Sequence, residues 1–161
     1  MSKMSRSHEV GKTPLIEHEL GTIKVEAQFR GKHNQRIESL SDVKDRYQSL
    51  ASKQKEHLYA VFLNSDNKEI GDKLIGLGGN SSTGADTQDV VRTAALVNAS
   101  AVILVHNHPS GNNQPTQQDI EVTREAREVL EKINVELLDH VIISKDSHYS
   151  MRQVNHGPIR L

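Results

Sequence analysis

The stretch AVILVHNHPSGNNQPTQQD occupies residues 101–119 of the sequence. Its first five residues form a continuous apolar run, which is typical of a central strand buried on both faces. A polar loop rich in Pro and Gly follows from His106 to Pro115, and a helical pattern begins at Thr116. Because α/β proteins place their sites just beyond the carboxyl ends of strands, we expect the functional residues to begin at His106.

The segments around this stretch alternate between strand and helix patterns. Strands are predicted at 23–30, 58–63, 69–77, 101–105, 135–144 and 148–151, with turn or loop residues at 64–67 and 78–84. Helices are predicted from a cap at Ser39 or Ser41 to about Lys55, from Asp86 or Thr87 to about Asn98, and from Thr116 to Ile133. This order predicts an α/β fold in which helices pack on a mixed β-sheet.

Length and composition limit the classes of protein to consider. The 161 residues fit one compact domain, which we place at 39–161, after a polar N-terminal arm or tail at 1–38. A net charge of −1 does not favour binding to nucleic acid, and we interpret the local basic cluster as a solvated loop (Arg30, Lys32, His33, Arg36). Neither a secretory signal nor an apolar run of membrane-spanning length is evident, so we expect a cytoplasmic protein. The absence of Cys excludes disulfides and thiolate metal ligands.

Three side chains in the opening stretch have the chemistry of metal ligands. His106 and His108 are two residues apart at a strand end, so both imidazoles can point to the same face. Asp119 lies in the first turn of the following helix, which the loop can fold back against the strand end. Two His and one Asp leave a fourth position for water, which is typical of a catalytic zinc site. The sequence therefore predicts bound Zn²⁺.

Two further residues are candidates for catalysis beside this ion. Glu56 directly precedes the predicted strand 58–63 and is a candidate general base, although the position also suits an ordinary surface carboxylate. Thr116 lies three residues before Asp119, so its hydroxyl can donate to a developing oxyanion. Thr116 and Asp119 also have the spacing of a helix capping box. Thr116 can serve both as a cap and as a donor, but Asp119 cannot easily serve both as a cap and as a ligand. Of these two roles we favour metal ligation for Asp119.

Other polar residues near these candidates have simpler interpretations. Ser110, Asn107 and Asn112 are expected to form turns, because short polar side chains bond to their own backbone. His140 lies within the apolar stretch LLDHVII, and we expect a core histidine with a satisfied hydrogen bond rather than a residue that supports the metal ligands.

The spacing H-x-H, seven residues, a hydroxyl residue, two residues and Asp resembles the JAMM signature of JAB/MPN metallopeptidases. The words HNHPSG, LLDHVIIS, GGNSSTG and HYSM resemble the RadC family in particular, over roughly residues 40–155. This resemblance implies a single JAB/MPN-type α/β domain, with zinc on His106, His108 and Asp119, and with Glu56 as the family's upstream acidic residue. Two departures exist. Thr116 replaces the family's usual Ser, and residues 1–40 do not resemble the helix-hairpin-helix region of longer RadC proteins.

Two functions are compatible with this resemblance. The first is zinc-dependent hydrolysis of a peptide or isopeptide amide, which would make peptides or protein conjugates the substrates. The second is a non-catalytic module in a DNA repair or mobile-element complex. Retention of Glu56 favours the first, because a scaffold does not need a base. A nucleobase deaminase is excluded since its signature requires Cys, and a thermolysin-like protease is excluded since H-E-x-x-H is absent.

Overall fold

The computed structural model describes residues 16–18, 21–23, 35–78 and 85–152. Two short strands, β1 (Ile16–His18) and β2 (Gly21–Ile23), pair antiparallel in a sheet of their own. The remaining elements follow in chain order: α1 (Leu40–Tyr47), a 3₁₀ helix (Gln48–Ser52), β3 (Glu56–Leu63), β4 (Glu69–Gly78), α2 (Thr87–Leu96), β5 (Ala101–Asn107), α3 (Gln117–Glu131), β6 (Glu136–Ile143) and β7 (His148–Ser150). The α/β order predicted from the sequence is confirmed.

The other five strands form one mixed sheet in the order β4-β3-β5-β6-β7. β5 lies in the centre, antiparallel to β3 and parallel to β6. All seven residues of β5 are buried, as the apolar run at 101–105 predicted. The strand extends two residues further than predicted, so His106 and Asn107 belong to it rather than to the following loop.

Helices cover both faces of this sheet. On one face, Val43, Tyr47 and Leu50 from α1 and the 3₁₀ helix pack against one set of alternating strand residues, among them Tyr59, Val61, Ile103 and Val105. On the other face, Val90 and Ala94 of α2 and Ala126 and Leu130 of α3 pack against the opposite set, including Ala60, Phe62, Val102 and Leu104. Neighbouring residues of a strand therefore face different helix layers, which decides where each functional side chain can lie.

Local side chains define where the helices begin and end. Ser39, Asp86 and Thr116 each accept the amide hydrogen of the residue three positions later, so all three predicted starts include the observed cap. Asn98 and Asn134 adopt positive φ angles of 53° and 57° just after α2 and α3. Asn tolerates this left-handed conformation better than most residues, and the two helices end close to their predicted bounds.

The predicted extension of the first helix to Lys55 is wrong. α1 ends at Tyr47, and residues 48–52 tighten into the 3₁₀ helix, where the Ser52 hydroxyl donates to the Ser49 carbonyl at 2.9 Å. Leu50 is fully buried at this point. The polar residues after it must then turn away from the helix axis to enter β3, which begins at Glu56.

Some predictions fall partly or wholly outside the described residues. These are the strand predicted at 23–30, the loop predicted at 78–84, the basic residues Arg30, Lys32 and His33, and most of the arm proposed at 1–38. Of the first two, only Ile23 and Gly78 are described, and they lie in β2 and β4. Arg36 is described, and it donates to the Asp66 carbonyl and to the Glu38 carboxylate. Within the described part of the chain, every helix is too short or too polar to cross a lipid bilayer.

Candidate metal centre

The carboxyl end of β5 brings His106, His108 and Asp119 together. One ligand atom from each residue lies within 4.8 Å of the others, and the two imidazoles are buried. The Nε2 atoms of His106 and His108 are 2.8 Å apart. The Asp119 carboxylate places Oδ1 at 3.1 Å from His106 Nε2 and Oδ2 at 3.3 Å from His108 Nε2. These three residues are the ones that the sequence predicted as ligands, and their arrangement is compatible with a metal ion.

Strand alternation explains how the histidines converge. His106 continues the β5 face that carries Val102 and Leu104, which is the face that α2 and α3 cover. His108 follows two residues later, and its amide still donates to the Ile143 carbonyl of β6 at 3.3 Å. The backbone therefore stays close to the sheet beyond the strand end, and both rings point toward the start of α3.

Asp119 serves the helix cap and faces the histidines at the same time. Its Oδ2 accepts the Thr116 amide hydrogen and the Thr116 hydroxyl hydrogen, each at 2.7 Å. The Thr116 hydroxyl oxygen in turn accepts the Asp119 amide hydrogen at 3.2 Å. Capping and ligation were expected to compete for Asp119, but the cap does not turn this carboxylate away from the histidines, and ligation itself remains a prediction. Oδ2 completes the cap, and Oδ1 remains directed at His106.

A buried hydrogen-bond chain fixes the proton on His106. The Thr123 hydroxyl donates to the Asp119 backbone carbonyl at 2.5 Å, because that oxygen can only accept. The Thr123 oxygen then accepts from His140 Nδ1 at 2.6 Å. Burial, reinforced by the charge of His106, holds the pKa of His140 well below its ordinary value, so this ring is neutral and its Nε2 is an acceptor. His106 Nδ1 donates to it at 2.7 Å, which leaves the lone pair of a neutral His106 on Nε2.

His108 is held in the same tautomer by a different partner. Its Nδ1 lies 2.7 Å from the Asn112 carbonyl oxygen, which can only accept a hydrogen. The lone pair of a neutral His108 is therefore also on Nε2. Two lone pairs that face each other across 2.8 Å, beside a carboxylate, repel unless a proton or a metal cation lies among them. The donor set consequently fits a divalent ion that accepts imidazole nitrogen and carboxylate oxygen, as zinc does.

The pKa values of these groups favour a positive charge at the same place, carried by protons when no metal cation lies between the rings. Burial opposes ionisation of Asp119, but hydrogen bonds from His106 and His108 outweigh it and hold the pKa of this carboxyl far below its ordinary value. The hydrogen bond to Asp119 raises the pKa of His108 above 6.5, and the nearby Glu56 carboxylate adds to this effect. The Asp119 carboxylate therefore favours a positive charge on this side of the cluster.

Glu56 and Thr116, the predicted catalytic residues, lie at the exposed edge of this site. Leu58 pairs with His106 across β3 and β5, and Glu56 lies two residues before Leu58 on the same strand face. Its side chain is exposed, and its charge acts on His108. Thr116 is also exposed, and its hydroxyl hydrogen is donated to Asp119. The catalytic roles of both residues remain predictions.

Two residues near the site were misjudged from the sequence. Asn107 is not a turn residue. It is the fully buried last residue of β5, and its side chain bonds to the chain segment around Glu56. His140 is the expected buried and hydrogen-bonded histidine, but its partner is His106, so it does support a candidate ligand. The position of each polar residue within an apolar strand, Asn107 in β5 and His140 in β6, could have indicated a buried hydrogen-bond partner. Ser110 and Asn112 form the predicted turn, with the Asn112 carboxamide oxygen accepting the Gln114 amide hydrogen at 3.0 Å.

Comparison with known proteins places this site in a family. A family model described as RadC-like JAB domain matches residues 37–156. The chain is 39% identical over 106 residues to a UPF0758 protein of Streptococcus gordonii, an alignment that covers 66% of this chain and 47% of the relative. It is 34% identical over 103 residues to a UPF0758 protein of Carboxydothermus hydrogenoformans, covering 64% of this chain and 46% of the relative. The chain spans about half the length of the curated relatives it matches.

Replacing His140 should weaken metal binding although it is not a ligand. In His140→Phe the His106 Nδ1 hydrogen loses its acceptor, so the ring is no longer held with Nε2 toward the site. We expect metal affinity to fall by about 10- to 100-fold, as for other residues that orient a metal ligand. Competition with a chromophoric chelator measures the affinity. Ser144→Ala is a matched control, since Ser144 is a buried polar residue next to the end of β6 whose hydroxyl bonds only near Ser147. Equal affinity in folded His140→Phe and the parent would contradict this role.

Removing the metal should reverse the pH dependence that His108 gives to stability. The pKa of His108 is raised in the folded protein, so its contribution is complete below 6.5 and is lost as pH rises through the folded-state pKa. With a chelator present, the unfolding free energy of the parent relative to His108→Gln should therefore decrease with rising pH. With saturating metal the difference should increase, because the metal replaces the proton. Urea unfolding over a pH series measures both trends, and a difference that does not vary with pH would refute the assignment.

Proposed function

The chain belongs to the family of RadC-like JAB domains, and on that premise we propose that it is a zinc-dependent hydrolase of peptide or isopeptide amides. The observation that supports this most directly is the convergence of the His106 and His108 Nε2 atoms, 2.8 Å apart, beside the Asp119 carboxylate. The Nδ1 atom of each ring is bonded elsewhere, which leaves both Nε2 atoms free to bind one ion. The exposed Glu56 carboxylate next to the cluster supports hydrolysis rather than storage of an ion.

A zinc ion bound by His106, His108 and Asp119 would supply Lewis acidity, which activates water and polarises a carbonyl. The chain's own residues set the remaining conditions. The His140–His106 and Asn112–His108 hydrogen bonds hold both rings with Nε2 toward the ion. Hydrogen bonds with His106 and His108 keep Asp119 ionised, and the helix cap holds its carboxylate in place, so the ligands would need little rearrangement to bind an ion.

Glu56 is the proposed general base and acid. It would take a proton from the attacking water as the new C–O bond forms, and would give that proton to the amine nitrogen as the C–N bond breaks. One carboxylate on the solvent side of the site can perform both transfers in turn. Its exposure is compatible with this role, because solvent water can reach the carboxylate and the released amine can leave from that side.

Thr116 is the proposed donor to the oxyanion. Its hydroxyl hydrogen is donated to Asp119 Oδ2 in the structure, while its oxygen accepts the Asp119 amide hydrogen. Rotation about the Cβ–Oγ1 bond of Thr116 would redirect the hydrogen toward substrate without breaking the bond that the oxygen accepts. The added methyl group relative to the family's usual Ser restricts χ1, so the hydroxyl oxygen would adjust less freely to substrate and Thr116 would be the slower version of the same donor.

The proposed substrates are extended peptides or protein conjugates in the cytoplasm. The near-neutral charge of the chain favours neither nucleic acid nor an anionic surface as the partner. The alternative is a non-catalytic RadC-like module within a DNA repair or mobile-element complex. It predicts that metal binding is retained while hydrolysis of every amide substrate is absent.

We expect Glu56→Gln to keep the metal and lose hydrolysis. The amide preserves the size of the side chain but cannot accept a proton, so metal binding and chemistry should separate.

The paired change His106→Ala with His108→Ala should instead lose the metal and keep the fold, because the apolar cores on both sheet faces do not include these rings. Elemental analysis and turnover of peptide and isopeptide conjugates measure the two properties. Full activity in metal-loaded Glu56→Gln would exclude Glu56 as the base, and full metal occupancy in the double variant would exclude the site.

Variants of Thr116 should separate capping from catalysis. Thr116→Ser keeps both functions of the hydroxyl, and we expect equal or higher activity. Thr116→Asn should preserve the cap, since loss of a cap would cost about 1 kcal/mol. The same change misplaces the donor, which is expected to lower the rate by roughly a hundredfold or more. Thermal unfolding and turnover at saturating zinc measure the two effects. Parental turnover in Thr116→Asn would reduce Thr116 to a helix cap.

A further inference from the structure

The hydrogen-bonded ladder between β3 and β5 ends before it reaches Glu56. The pair nearest to Glu56 is Leu58 with His106, although β3 begins two residues before Leu58. On its other side, β3 still pairs with β4 through Glu56 and Gly78. The segment that carries Glu56 therefore leaves the backbone of the central strand where the candidate metal ligands begin.

The side chain of Asn107 replaces the missing part of this ladder. Its Oδ1 accepts the His57 amide hydrogen at 2.8 Å. Its Nδ2 donates to the Lys55 carbonyl at 3.1 Å and lies 3.4 Å from the Lys53 carbonyl. One carboxamide thus bonds to the backbone on both sides of Glu56.

Asn107 acts on the opposite side of β5 from the metal cluster. It lies between His106 and His108, so alternation directs its side chain toward the layer of α1 and the 3₁₀ helix. The residue is fully buried. Of three consecutive residues, His106 and His108 therefore face the candidate metal centre, and Asn107 faces the segment that bears Glu56.

We propose that Asn107 is a positioning residue that holds Glu56 at a fixed place relative to the metal ligands. This inference rests on the proposed function for its catalytic consequence, but not for the hydrogen bonds themselves. The carboxamide suits the role because it offers an acceptor and a donor on one planar group. Asp lacks the donor, and Ser is too short to bond to both Lys55 and His57.

The experiment compares Asn107→Leu with the matched change Asn64→Leu. Asn64 follows the other end of β3, where its Oδ1 accepts the Asp66 and Lys68 amide hydrogens at 2.9 Å each, far along the strand from Glu56. Each change removes one carboxamide that bonds to backbone amides, the first beside the start of β3 and the second just after its end. Asn107→Ser provides a milder variant if Asn107→Leu does not fold, since a hydroxyl and water can partly satisfy the exposed backbone.

Amide hydrogen exchange tests the positioning itself and needs no substrate. In Asn107→Leu with zinc bound, we expect exchange of the His57 amide to accelerate about tenfold or more, because its acceptor is gone. Zinc stoichiometry should stay at the parental value, and Asn64→Leu should leave the His57 amide unchanged. Parental exchange at His57, or loss of zinc from folded Asn107→Leu, would overturn the proposal, since Asn107 would then hold nothing or would hold the ligands.

Steady-state kinetics test the consequence for Glu56. In Asn107→Leu we expect kcat to fall about a hundredfold with KM unchanged, as for a misplacement of about 1 Å. In a Glu56→Gln background, Asn107→Leu should not lower the residual kcat any further. Asn64→Leu should keep the parental kcat. An additive loss in that background would overturn the link to Glu56. If the parent hydrolyses no amide, the proposed function fails, and the exchange measurement alone still decides whether Asn107 holds this segment.

Discussion

The alternation of side chains at the end of β5 is the constraint on which the site depends. The last two residues of this buried strand are polar, and they bond to other parts of the protein, His106 to His140 and Asn107 to the backbone around Glu56. His106 and His108 face the layer of α2 and α3, while Asn107 faces the layer of α1. A shift of one residue in the register of β5 would exchange these faces and separate both histidines from Asp119. The apolar run before them fixes that register, because Val102 and Leu104 belong to one core and Ile103 and Val105 to the other.

The fold was largely predictable because its signals are local or periodic. The apolar run at 101–105 indicated the central strand, and Ser39, Asp86 and Thr116 indicated the starts of the helices. The first helix was predicted too long because periodicity alone does not distinguish an α-helix from a 3₁₀ turn that keeps Tyr47 and Leu50 on one side. The grouping of His106, His108 and Asp119 was predictable for a similar reason, since two are neighbours on one strand face and the third lies in the first turn of the next element.

The supporting residues were not predictable because their partners are distant in sequence. His140 lies on β6, whose contact with His106 follows from parallel pairing of β5 with β6. The bonds of Asn107 to Lys55 and His57 cross from one strand to the approach of another, 50 or more residues earlier. Such contacts depend on strand order, which a single sequence does not reveal. A polar residue inside an apolar strand was nevertheless a usable signal, because a buried polar group requires a partner.

Asp119 shows how a stability element and a functional group can share one side chain. The capping box normally gives a carboxylate a full set of partners, and this suggested that ligation would have to displace the cap. In this structure Oδ2 bonds to Thr116 and also lies 3.3 Å from His108 Nε2, while Oδ1 is directed at His106. The helix start therefore holds the carboxylate in place before any ion arrives. This reduces the entropy lost on binding, because the side chain has already been ordered during folding. It also keeps the Thr116 hydroxyl in contact with Asp119, which is the position that the proposed role as oxyanion donor requires.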